Sequence, residues 1–332
     1  MAPPRFRMVP AVHPHWKGNL RLSLEDDRME HEDQGTQGSY KLEPPVLTVN
    51  WADFGEERFI EIEGMFINET LVRQGYRRIN GDYDIPSTIF QTWKSKVSLP
   101  ANFAEWRNTF SEHNPSYEML LWDDADNRQF VRSYFPWFYR RFMAYPLEIH
   151  RADLIRYLYL YKHGGIYVDL DVECLRPLDG LLGRGDVVLG QMGNGGDHSI
   201  PNAIMLSKPK EEFWLFVVWL SMQVVNLHEI PELVTGPVLL KAAVDLYNAR
   251  DPILVKIAVS TLSQKLPGHS KPTPRRSNLS VLPPPALYPL DWVDPAHQLI
   301  RKRVLAGEHL SSADKNELFP HSWTTTYWSH SW

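Results

Sequence analysis

The sequence predicts an α/β fold, because a helix with a buried face leads through a glycine turn into a short apolar strand. Over residues 147–162 the apolar residues recur at three- and four-residue steps, which is the pattern of a helix packed on one side. Gly164 and Gly165 follow this segment, and glycine ends helices because it adopts the left-handed conformation at no steric cost. Residues 166–168 are β-branched or aromatic, which is typical of a strand buried inside a sheet.

Two aspartates, Asp169 and Asp171, stand where that strand ends. Side chains two residues apart on an extended backbone project to the same side, so the two carboxylates lie together and Leu170 points the other way. Adjacent like charges are unfavourable without a counter-ion, and carboxylate oxygens suit Mg2+ or Mn2+. Since ligands bind at the carboxyl ends of strands in α/β sheets, the pair indicates a site for a divalent cation beside a phosphate. Alone, a D-x-D sequence is more often a turn with two solvated aspartates.

The run from Arg151 to Asp171, RADLIRYLYLYKHGGIYVDLD, resembles the DXD-containing sugar-nucleotide-binding region of glycosyltransferase family 32, the Och1-like enzymes. It is also distantly similar to the glucosylating domain of the large clostridial toxins. Further family-like segments follow in the expected order over residues 84–332, although Phe90 stands where the family often has histidine. These segments are IFQTWKSK after Ile85-Pro86, NPSY leading into LLWDD, NAIMLSKPKEEFW, VTGPVLL, VLPPPALYPLDW and a terminal cluster of histidine and tryptophan.

The resemblance implies a GT-A fold, which is a Rossmann-like nucleotide-sugar-binding fold with a mixed central sheet, over residues 84–332. It implies a retaining hexosyltransferase that moves mannose, galactose or glucose from GDP-mannose or a UDP-hexose, with bound Mn2+ or Mg2+. The implied acceptor is a hydroxyl of a glycan, a glycolipid or a protein, and no catalytic nucleophile is assigned. A nucleotide-sugar hydrolase and an inactive nucleotide-sugar-binding protein stay open as alternatives.

Carried onto this chain, the resemblance implies a set of donor-binding residues. Asp153 and Arg156 hold the sugar and the ribose or phosphate region, and an arginine fork matches such oxygens. Without the motif, this pair is an ordinary helix salt bridge. Trp93 offers a flat face to the nucleobase or else belongs to the core, while Thr235 and Gly236 line the sugar pocket or form a turn before a helix. The complete set is Trp93, Asp153, Arg156, Tyr167, Asp169, Asn202, Thr235 and Gly236.

The same resemblance implies the metal ligands. Asp171 binds the cation directly, and Asp169 contacts the ribose and a metal-bound water. A histidine near the C-terminus is the further ligand, with His321 as the first candidate and His330 as the runner-up, because imidazole completes an oxygen-rich shell for Mn2+. The alternative is that these histidines cap a tryptophan-rich tail that packs on the domain.

The first 83 residues lie outside the resemblance. A flexible N-terminal arm is predicted for residues 1–45, because much of this segment combines charged residues with Gly, Gln and Ser and shows almost no apolar periodicity. A small N-terminal extension is predicted for residues 46–83, because VLTVNWADF and RFIEIEGMFI alternate apolar with polar residues as half-buried strands do. Residues 84–332 are the predicted GT-A glycosyltransferase domain, and a hydrophobic content of 43% is enough for a substantial core.

Charge and cysteine content limit the partners. The net charge of −5 gives no reason to expect a nucleic-acid partner. Cys174 is the one cysteine, which excludes an intrachain disulfide and a thiolate metal site. A group of arginines interleaves with aromatic residues around FPWFYRRF and faces either solvent, or an anionic acceptor or membrane surface in a peripheral contact. These arginines are Arg128, Arg132, Arg140 and Arg141.

The sequence contains no run with the length and apolarity of a membrane-spanning helix. The most apolar run, residues 213–225, is too short to cross a bilayer and is predicted to be a core helix. The N-terminus lacks the apolar stretch of a signal peptide, so the sequence predicts a soluble or cytoplasmic protein. The family resemblance instead implies a Golgi location in a eukaryotic host.

Overall fold

The computed structural model divides the chain into two compact units, Met1–Arg78 and Ile79–Trp332. Each unit has its own buried hydrophobic core. The residues that the structure describes are 6–12, 17–23, 28–31, 37–43, 46–51, 55–62, 65–68, 78–79, 82–83, 85–193, 195–227, 230–249, 252–273 and 275–329.

The first unit is a closed barrel of seven strands. The strands are β1 (Phe6–Val12), β2 (Lys17–Ser23), β3 (Arg28–His31), β4 (Gln37–Glu43), β5 (Val46–Trp51), β6 (Gly55–Ile62) and β7 (Met65–Asn68). Consecutive strands pair antiparallel, and β1 pairs with β7 in parallel to close the barrel. Alternate residues of each strand face inward, and the buried set is Leu20, Leu22, Met29, Leu47, Val49 and Phe59.

This barrel differs from the predicted domain division. The segment predicted to be a flexible arm, residues 1–45, contains β1 to β4, which pair with β5 to β7 in one sheet. Most of the predicted extension over residues 46–83 belongs to the same unit, which ends at Arg78, and residues 79–83 belong to the second unit. The difference has a physical reason: these short strands are stabilised by pairing with their neighbours, which a local apolar pattern does not reveal.

A mixed sheet of six strands lies at the centre of the second unit. Its strands are β10 (Thr88–Thr92), β11 (Glu118–Trp122), β12 (Gly165–Val168), β14 (Val187–Gly190), β15 (Ile204–Ser207) and β16 (Leu279–Leu282). Their order is β11-β10-β12-β15-β14-β16, with β10 parallel to both neighbours, β15 antiparallel to both neighbours and β16 parallel to β14. The predicted α/β fold with a mixed central sheet is confirmed. Two further strand pairs are β8 (Arg78–Ile79) with β9 (Asp82–Tyr83), and β13 (Val172–Cys174) with β17 (Thr324–Thr326).

Helices pack on both faces of this sheet. They are α1 (Ala101–His113), α2 (Asp124–Tyr134), α3 (Pro136–Met143), α4 (Glu148–His163), α5 (Asp179–Leu182), α6 (Glu212–Val224), α7 (Pro231–Val234), α8 (Pro237–Asn248), α9 (Ile253–Ser263), α10 (Pro295–Leu305) and α11 (Ser312–Leu318), with a 3-10 turn at Gly268–Ser270. Alternate strand residues enter two separate cores: Phe90 and Tyr167 pack with α4 and α6, whereas Ile89, Ile166 and Val168 pack on the other face. A strand buried on both faces has no polar side, which explains the apolar run of β12.

The predicted order of helix, glycine turn and strand is confirmed by α4 and β12. Helix α4 ends at Gly164, whose φ is 68°, and Gly165 follows with a φ of 92°. A Cβ atom on Gly164 would lie 2.7 Å from the backbone of both Ser207 and Pro209. Glycine is therefore required here by the left-handed backbone and by the close approach of β15.

The apolar run predicted to be a core helix is α6, which is buried along most of its length. In the part of the chain that the structure describes, no helix has the length and apolarity needed to cross a membrane. The arginine cluster around FPWFYRRF is exposed throughout, at Arg128, Arg132, Arg140 and Arg141. This exposure agrees with arginines that face solvent and also with arginines that contact an anionic acceptor or a membrane surface.

Candidate functional site

Asp169 and Asp171 lie at the carboxyl end of β12, in the turn that leads to β13. The Asp169 amide donates a hydrogen bond to the Ala203 carbonyl at 2.8 Å, and the Asp169 carbonyl accepts one from Val172 at 3.3 Å. The turn is therefore anchored on both sides. Both carboxylates reach the same open space at the end of the sheet, as the strand alternation predicts.

Two cavities meet at these aspartates. The larger has a volume of about 300 Å3 and the smaller a volume of about 90 Å3. Both are lined by Ile149, Arg156, Asp169 and Asp171. The larger cavity is further lined by Thr92, Trp93, Lys94, Phe103, Asp124, Glu148, Ala152, Tyr167, Leu170 and Ser329. The smaller is further lined by Asp153, His198, Pro201, Asn202, Ala203, Pro231, Glu232, Gly236, Pro237, Trp292 and Trp328.

Arg156 joins the walls of the two cavities. Its guanidinium Nη1 lies 3.1 Å from Asp169 Oδ1 and donates to the Asn202 carbonyl at 3.0 Å, while Nη2 lies 3.4 Å from Asp153 Oδ1. The guanidinium also lies over the Tyr167 ring, 4.7 Å from its centroid. A buried cation with two carboxylates and an aromatic face is held in one orientation. Ion pairs with Asp153 and Asp169 thus hold the Arg156 guanidinium at the junction of the two cavities.

Asp153 is buried and almost fully hydrogen-bonded. Asn202 Nδ2 donates to its Oδ1 at 2.9 Å, and the Thr235 hydroxyl donates to its Oδ2 at 2.8 Å. Tyr157 extends this network, because its hydroxyl donates to the Thr235 carbonyl at 2.6 Å. Burial raises the pKa of Asp153, while Arg156 and the hydrogen bonds lower it. Three predicted residues, Asp153, Asn202 and Thr235, are therefore brought together, and Tyr157 is a member that the sequence did not predict.

The Asp169 carboxylate is tied to Tyr167 as well as to Arg156. The Tyr167 hydroxyl donates to Asp169 Oδ1 at 2.5 Å. Burial raises the pKa of Asp169 to about 7, even though Arg156 opposes that rise. Asp171 adds to the rise because it is a second negative charge nearby.

Asp171 is contacted by the segment that follows β17. The backbone amide and the hydroxyl of Ser329 both donate to Asp171 Oδ2, at 2.7 and 2.9 Å. The Tyr327 amide donates to the Asp171 carbonyl at 3.1 Å. No local pattern marks Ser329 in the sequence, because its place depends on the pairing of β13 with β17, in which Val172 lies opposite Thr326.

The predicted histidine ligand His321 is not brought to the carboxylates. It precedes β17, and the antiparallel register places Cys174, rather than Asp171, opposite the start of that strand. His321 is exposed and is absent from the walls of both cavities. The runner-up, His330, lies outside the described residues, one position after Ser329.

Trp93 lies in the wall of the larger cavity, as expected for a residue that stacks on a base. Its ring packs edge-on against Phe103, with centroids 5.2 Å apart and an angle of 80° between the planes. Its backbone amide bonds to the Trp122 carbonyl at 2.9 Å, which fixes its position beyond the end of β10. The indole is half-buried. Its position agrees both with stacking on a base and with a place in the core, because it packs on Phe103 and also lines the cavity.

Gly236 lies in the wall of the smaller cavity, at the start of α8. A Cβ atom there would lie 2.9 Å from the Cα atom of Glu232. The amides of Thr235 and Gly236 both donate to the Pro231 carbonyl, at 2.9 and 3.1 Å. The predicted residue therefore acts through packing, because its lack of a side chain lets the α7 turn close against α8.

The acidic pair suits a hard divalent cation that shares its ligands with a substrate. Within the described ranges, no group of three or more His, Cys, Asp or Glu side chains could hold a metal ion alone. The protein would supply carboxylate oxygens from Asp169 and Asp171, and Mg2+ in particular is commonly bound by one or two carboxylates together with substrate phosphates and water. The donor set thus fits a cation that arrives with a phosphate-bearing ligand.

Comparison with known proteins identifies the central part of this site. The family model described as "Glycosyltransferase sugar-binding region containing DXD motif" matches residues 100–188. Residues 100–188 are thus similar to the sugar-binding region of DXD-containing glycosyltransferases. The predicted family resemblance is confirmed for that region, which holds Asp153, Arg156, Asp169 and Asp171.

Several of the similar proteins are mannosyltransferases. Inositol phosphoceramide mannosyltransferase 3 of Schizosaccharomyces pombe is 45% identical over 98 residues, which is 30% of this chain and 27% of that protein. Mannosyl phosphorylinositol ceramide synthase CSH1 of Saccharomyces cerevisiae is 36% identical over 134 residues, 40% of this chain and 34% of that protein. The initiation-specific alpha-1,6-mannosyltransferase of Candida albicans is 27% identical over 117 residues, 33% of this chain and 30% of that protein. The matched regions span about a third of these relatives.

Two solved structures resemble the chain at low sequence identity. The PaToxG glycosyltransferase has a TM-score of 0.41 and 15% identity, covering 77% of this chain and 93% of that chain. A glycosyltransferase involved in the glycosylation of the major capsid of PBCV-1 has a TM-score of 0.29 and 10% identity, covering 73% of this chain and 93% of that chain.

Proposed function

We propose that this chain is a glycosyltransferase that moves a hexose from a nucleoside diphosphate sugar to a hydroxyl of an acceptor. One observation carries the proposal: Arg156, Asp169 and Asp171 lie where two cavities of different size meet. A nucleotide sugar has the matching shape, because a charged diphosphate separates a large nucleoside from a small sugar. The family match over residues 100–188 supports the same assignment.

In this proposal the donor spans both cavities. The nucleoside occupies the larger cavity, where the Trp93 ring stacks on the base and Asp169 meets the ribose. The diphosphate lies near Arg156, whose fork suits phosphate oxygens. The hexose enters the smaller cavity, beside Asp153 and Asn202.

The two aspartates would hold Mn2+ or Mg2+, with Asp171 as the direct ligand. When bound, the cation neutralises negative charge on the departing diphosphate. Ser329 keeps the Asp171 carboxylate in one orientation through its two hydrogen bonds. His330, as the residue after Ser329, is retained as the candidate for a further ligand.

The reaction exchanges one bond at the anomeric carbon for another. The bond from that carbon to the diphosphate oxygen breaks, and the acceptor oxygen forms the new bond. The electron pair leaves with the diphosphate, and the proton of the acceptor hydroxyl passes to it. We favour retention by front-face return, because this course lets the departing phosphate take the proton and needs no protein nucleophile. Arg156 stabilises the charge that develops on the leaving group.

The names of the relatives indicate one particular donor and one class of acceptor. Several relatives are mannosyltransferases, and three of them carry the name inositol phosphoceramide mannosyltransferase. We therefore propose GDP-mannose as the donor and a glycolipid hydroxyl, as on inositol phosphoceramide, as the acceptor. UDP-glucose and UDP-galactose are the competing donors.

A donor panel tests this proposal. The full chain is incubated with GDP-mannose, UDP-glucose or UDP-galactose and vesicles that contain inositol phosphoceramide, with Mn2+ or with EDTA, and products are identified by mass spectrometry. We expect transfer from one donor with Mn2+, and a loss of about 100-fold or more in Asp171→Asn, as for removal of a group that stabilises transition-state charge.

Asp245→Asn is the matched control, since this exposed aspartate pairs with Lys241 on α8. It should retain wild-type activity. Full activity in EDTA, or in Asp171→Asn, would overturn the proposed site. Release of nucleotide at the same rate without acceptor would instead identify a hydrolase.

A further inference from the structure

Most polar groups of the smaller cavity already bind one another. Asp153 accepts from Asn202 and Thr235 and pairs with Arg156, which uses three of its roughly four acceptor positions. Asn202 donates to Asp153 and Tyr157, and its carbonyl accepts from Arg156. These residues form a rigid wall, and they leave little hydrogen-bonding capacity for a ligand.

Glu232 differs from that wall. It lies in the lining of the smaller cavity and is partly buried. Throughout the part of the chain that the structure describes, no hydrogen bond or ion pair reaches its carboxylate. Trp292, Trp328 and Pro231 line the same cavity and carry no charge. A carboxylate that no protein group binds keeps its acceptor positions for a ligand.

The backbone is built to place Glu232 there. Pro231 begins α7, and its carbonyl accepts hydrogen bonds from Thr235 and Gly236, which closes a tight turn around Glu232. Gly236 approaches the Glu232 Cα atom so closely that any side chain at position 236 would displace it. The Thr235 hydroxyl at the end of this turn donates to Asp153, so the turn that carries Glu232 is fixed beside Asp153 in the lining of the smaller cavity.

We propose that Glu232 binds a hydroxyl group of the transferred hexose, and that the smaller cavity therefore selects a neutral sugar. This inference rests on the proposed function, because it requires a nucleotide sugar whose hexose enters this cavity. A hydroxyl donates a strong hydrogen bond to a carboxylate, so the hexose supplies the partner that Glu232 lacks.

The charges of the cavity support the same selectivity. Arg156 is the single guanidinium in its lining, against four carboxylates. Arg156 already pairs with Asp153 and Asp169, and the proposed cation lies at Asp169 and Asp171, so Glu232 is the carboxylate that would repel a sugar carboxylate, whereas it would accept a hydrogen bond from a hydroxyl. The four carboxylates are Asp153, Asp169, Asp171 and Glu232.

Calorimetric binding with Mn2+ tests the inference on the full chain. The probes are two matched sets: GDP, GDP-mannose and GDP-mannuronate, and UDP, UDP-glucose and UDP-glucuronate. The proteins are wild type, Glu232→Gln, and Glu317→Gln as a control on the exposed face of α11. Glutamine keeps the size of the side chain and removes the charge.

We expect Glu232→Gln to bind the preferred nucleotide hexose about 10-fold or more weakly, as for loss of a charge-assisted hydrogen bond. Affinity for the free nucleoside diphosphate should not change, because that ligand does not enter the smaller cavity. Wild type should bind the uronate donor no more tightly than the free nucleoside diphosphate.

Two results would overturn the inference while leaving the proposed function in place. One is wild-type affinity of Glu232→Gln for the nucleotide hexose, and the other is tight binding of the uronate donor by wild type. A wild-type protein that binds none of the six probes would overturn the proposed function itself, and the inference with it.

Discussion

The two cavities differ in which part of the chain builds them. The larger takes nearly all of its walls from residues 92–171, most of which lie inside the matched family segment 100–188. The smaller takes most of its own walls from residues 198–237 and from Trp292 and Trp328, all outside that segment. The family signature thus describes the side proposed for the nucleotide. The side proposed for the sugar is formed largely by residues outside that segment.

The largest expected effect comes from the residue that both cavities share. Arg156 is 5% exposed and pairs with Asp153 and Asp169. Arg156→Met leaves two carboxylates without their cation, so the free energy of unfolding should fall by about 3 to 5 kcal/mol. Denaturation in urea measures the loss. Arg303→Met is the control, because it removes an exposed pair with Glu308 and should cost less than about 1 kcal/mol; equal losses would contradict a shared, buried anchor.

A buried carboxylate outside both cavities gives a baseline for charge effects on the fold. Glu211 is 1% exposed, and its Oε2 has no hydrogen-bond partner among the described residues. Burial raises the pKa of Glu211 from 4.5 to about 7, against a hydrogen bond from Ser277. The folded state therefore binds the proton more tightly than the unfolded state, and this stabilisation is lost as the pH rises through about 7.

Glu211→Gln should remove that pH dependence. Relative to wild type, the variant should gain about 2 kcal/mol in the free energy of unfolding near pH 8 and show no such gain below pH 4.5. Thermal and urea denaturation across this pH range measure it. Nucleotide binding should stay at the wild-type level, since Glu211 lines neither cavity; a gain that is the same at every pH would contradict burial as the cause.

A smaller effect is expected for Trp93, which lines only the larger cavity. Trp93→Ala removes the aromatic face proposed for the base, and should weaken binding of the free nucleoside diphosphate by about 10-fold, as for loss of base stacking. The additional affinity that the hexose contributes should be unchanged, because Trp93 does not reach the smaller cavity. Calorimetry with both ligands tests this. Equal affinity of wild type and variant for the nucleoside diphosphate would make Trp93 a core residue only.

The smallest expected effect comes from a residue that lines only the smaller cavity. Gly236→Ala pushes the α7 turn away from α8, because the new Cβ atom would lie 2.9 Å from Glu232 Cα. We expect about a threefold loss of affinity for the nucleotide hexose, with unchanged affinity for the nucleoside diphosphate, since overpacking of a tight contact shifts the backbone locally. The control is again Glu317→Gln, on the exposed face of α11. An equal loss of affinity for the nucleotide hexose and for the nucleoside diphosphate would show that the two cavities do not bind the two parts of the donor independently.

Local patterns predicted the centre of the site well. The periodicity of α4, the glycine turn and the alternation at the end of β12 depend on neighbours within a few residues, so the sequence placed Asp169 and Asp171 correctly at the strand end. Asp153, Asn202 and Thr235 lie together as the family resemblance implied.

Features that depend on distant pairing were not predictable in the same way. Ser329 reaches Asp171 only because β17 pairs with β13, and the same register leaves His321 exposed away from the carboxylates. Glu232 has no distinguishing neighbour in the sequence, since its role follows from the closed turn at Gly236. In the first unit, strands β1 to β4 are held in the barrel by pairing with their neighbours, which no local apolar pattern indicates.

The position of Arg156 in both walls has a thermodynamic consequence. Any ligand that engages its guanidinium from one cavity changes the electrostatic partner available to a ligand in the other. Binding free energies are reciprocal, so the affinity of each cavity must change by the same factor when the other is filled. Because both ligands would draw on the same guanidinium, a hexose and a nucleoside diphosphate should weaken each other's binding by one common factor, which titration of each ligand in the presence of the other measures.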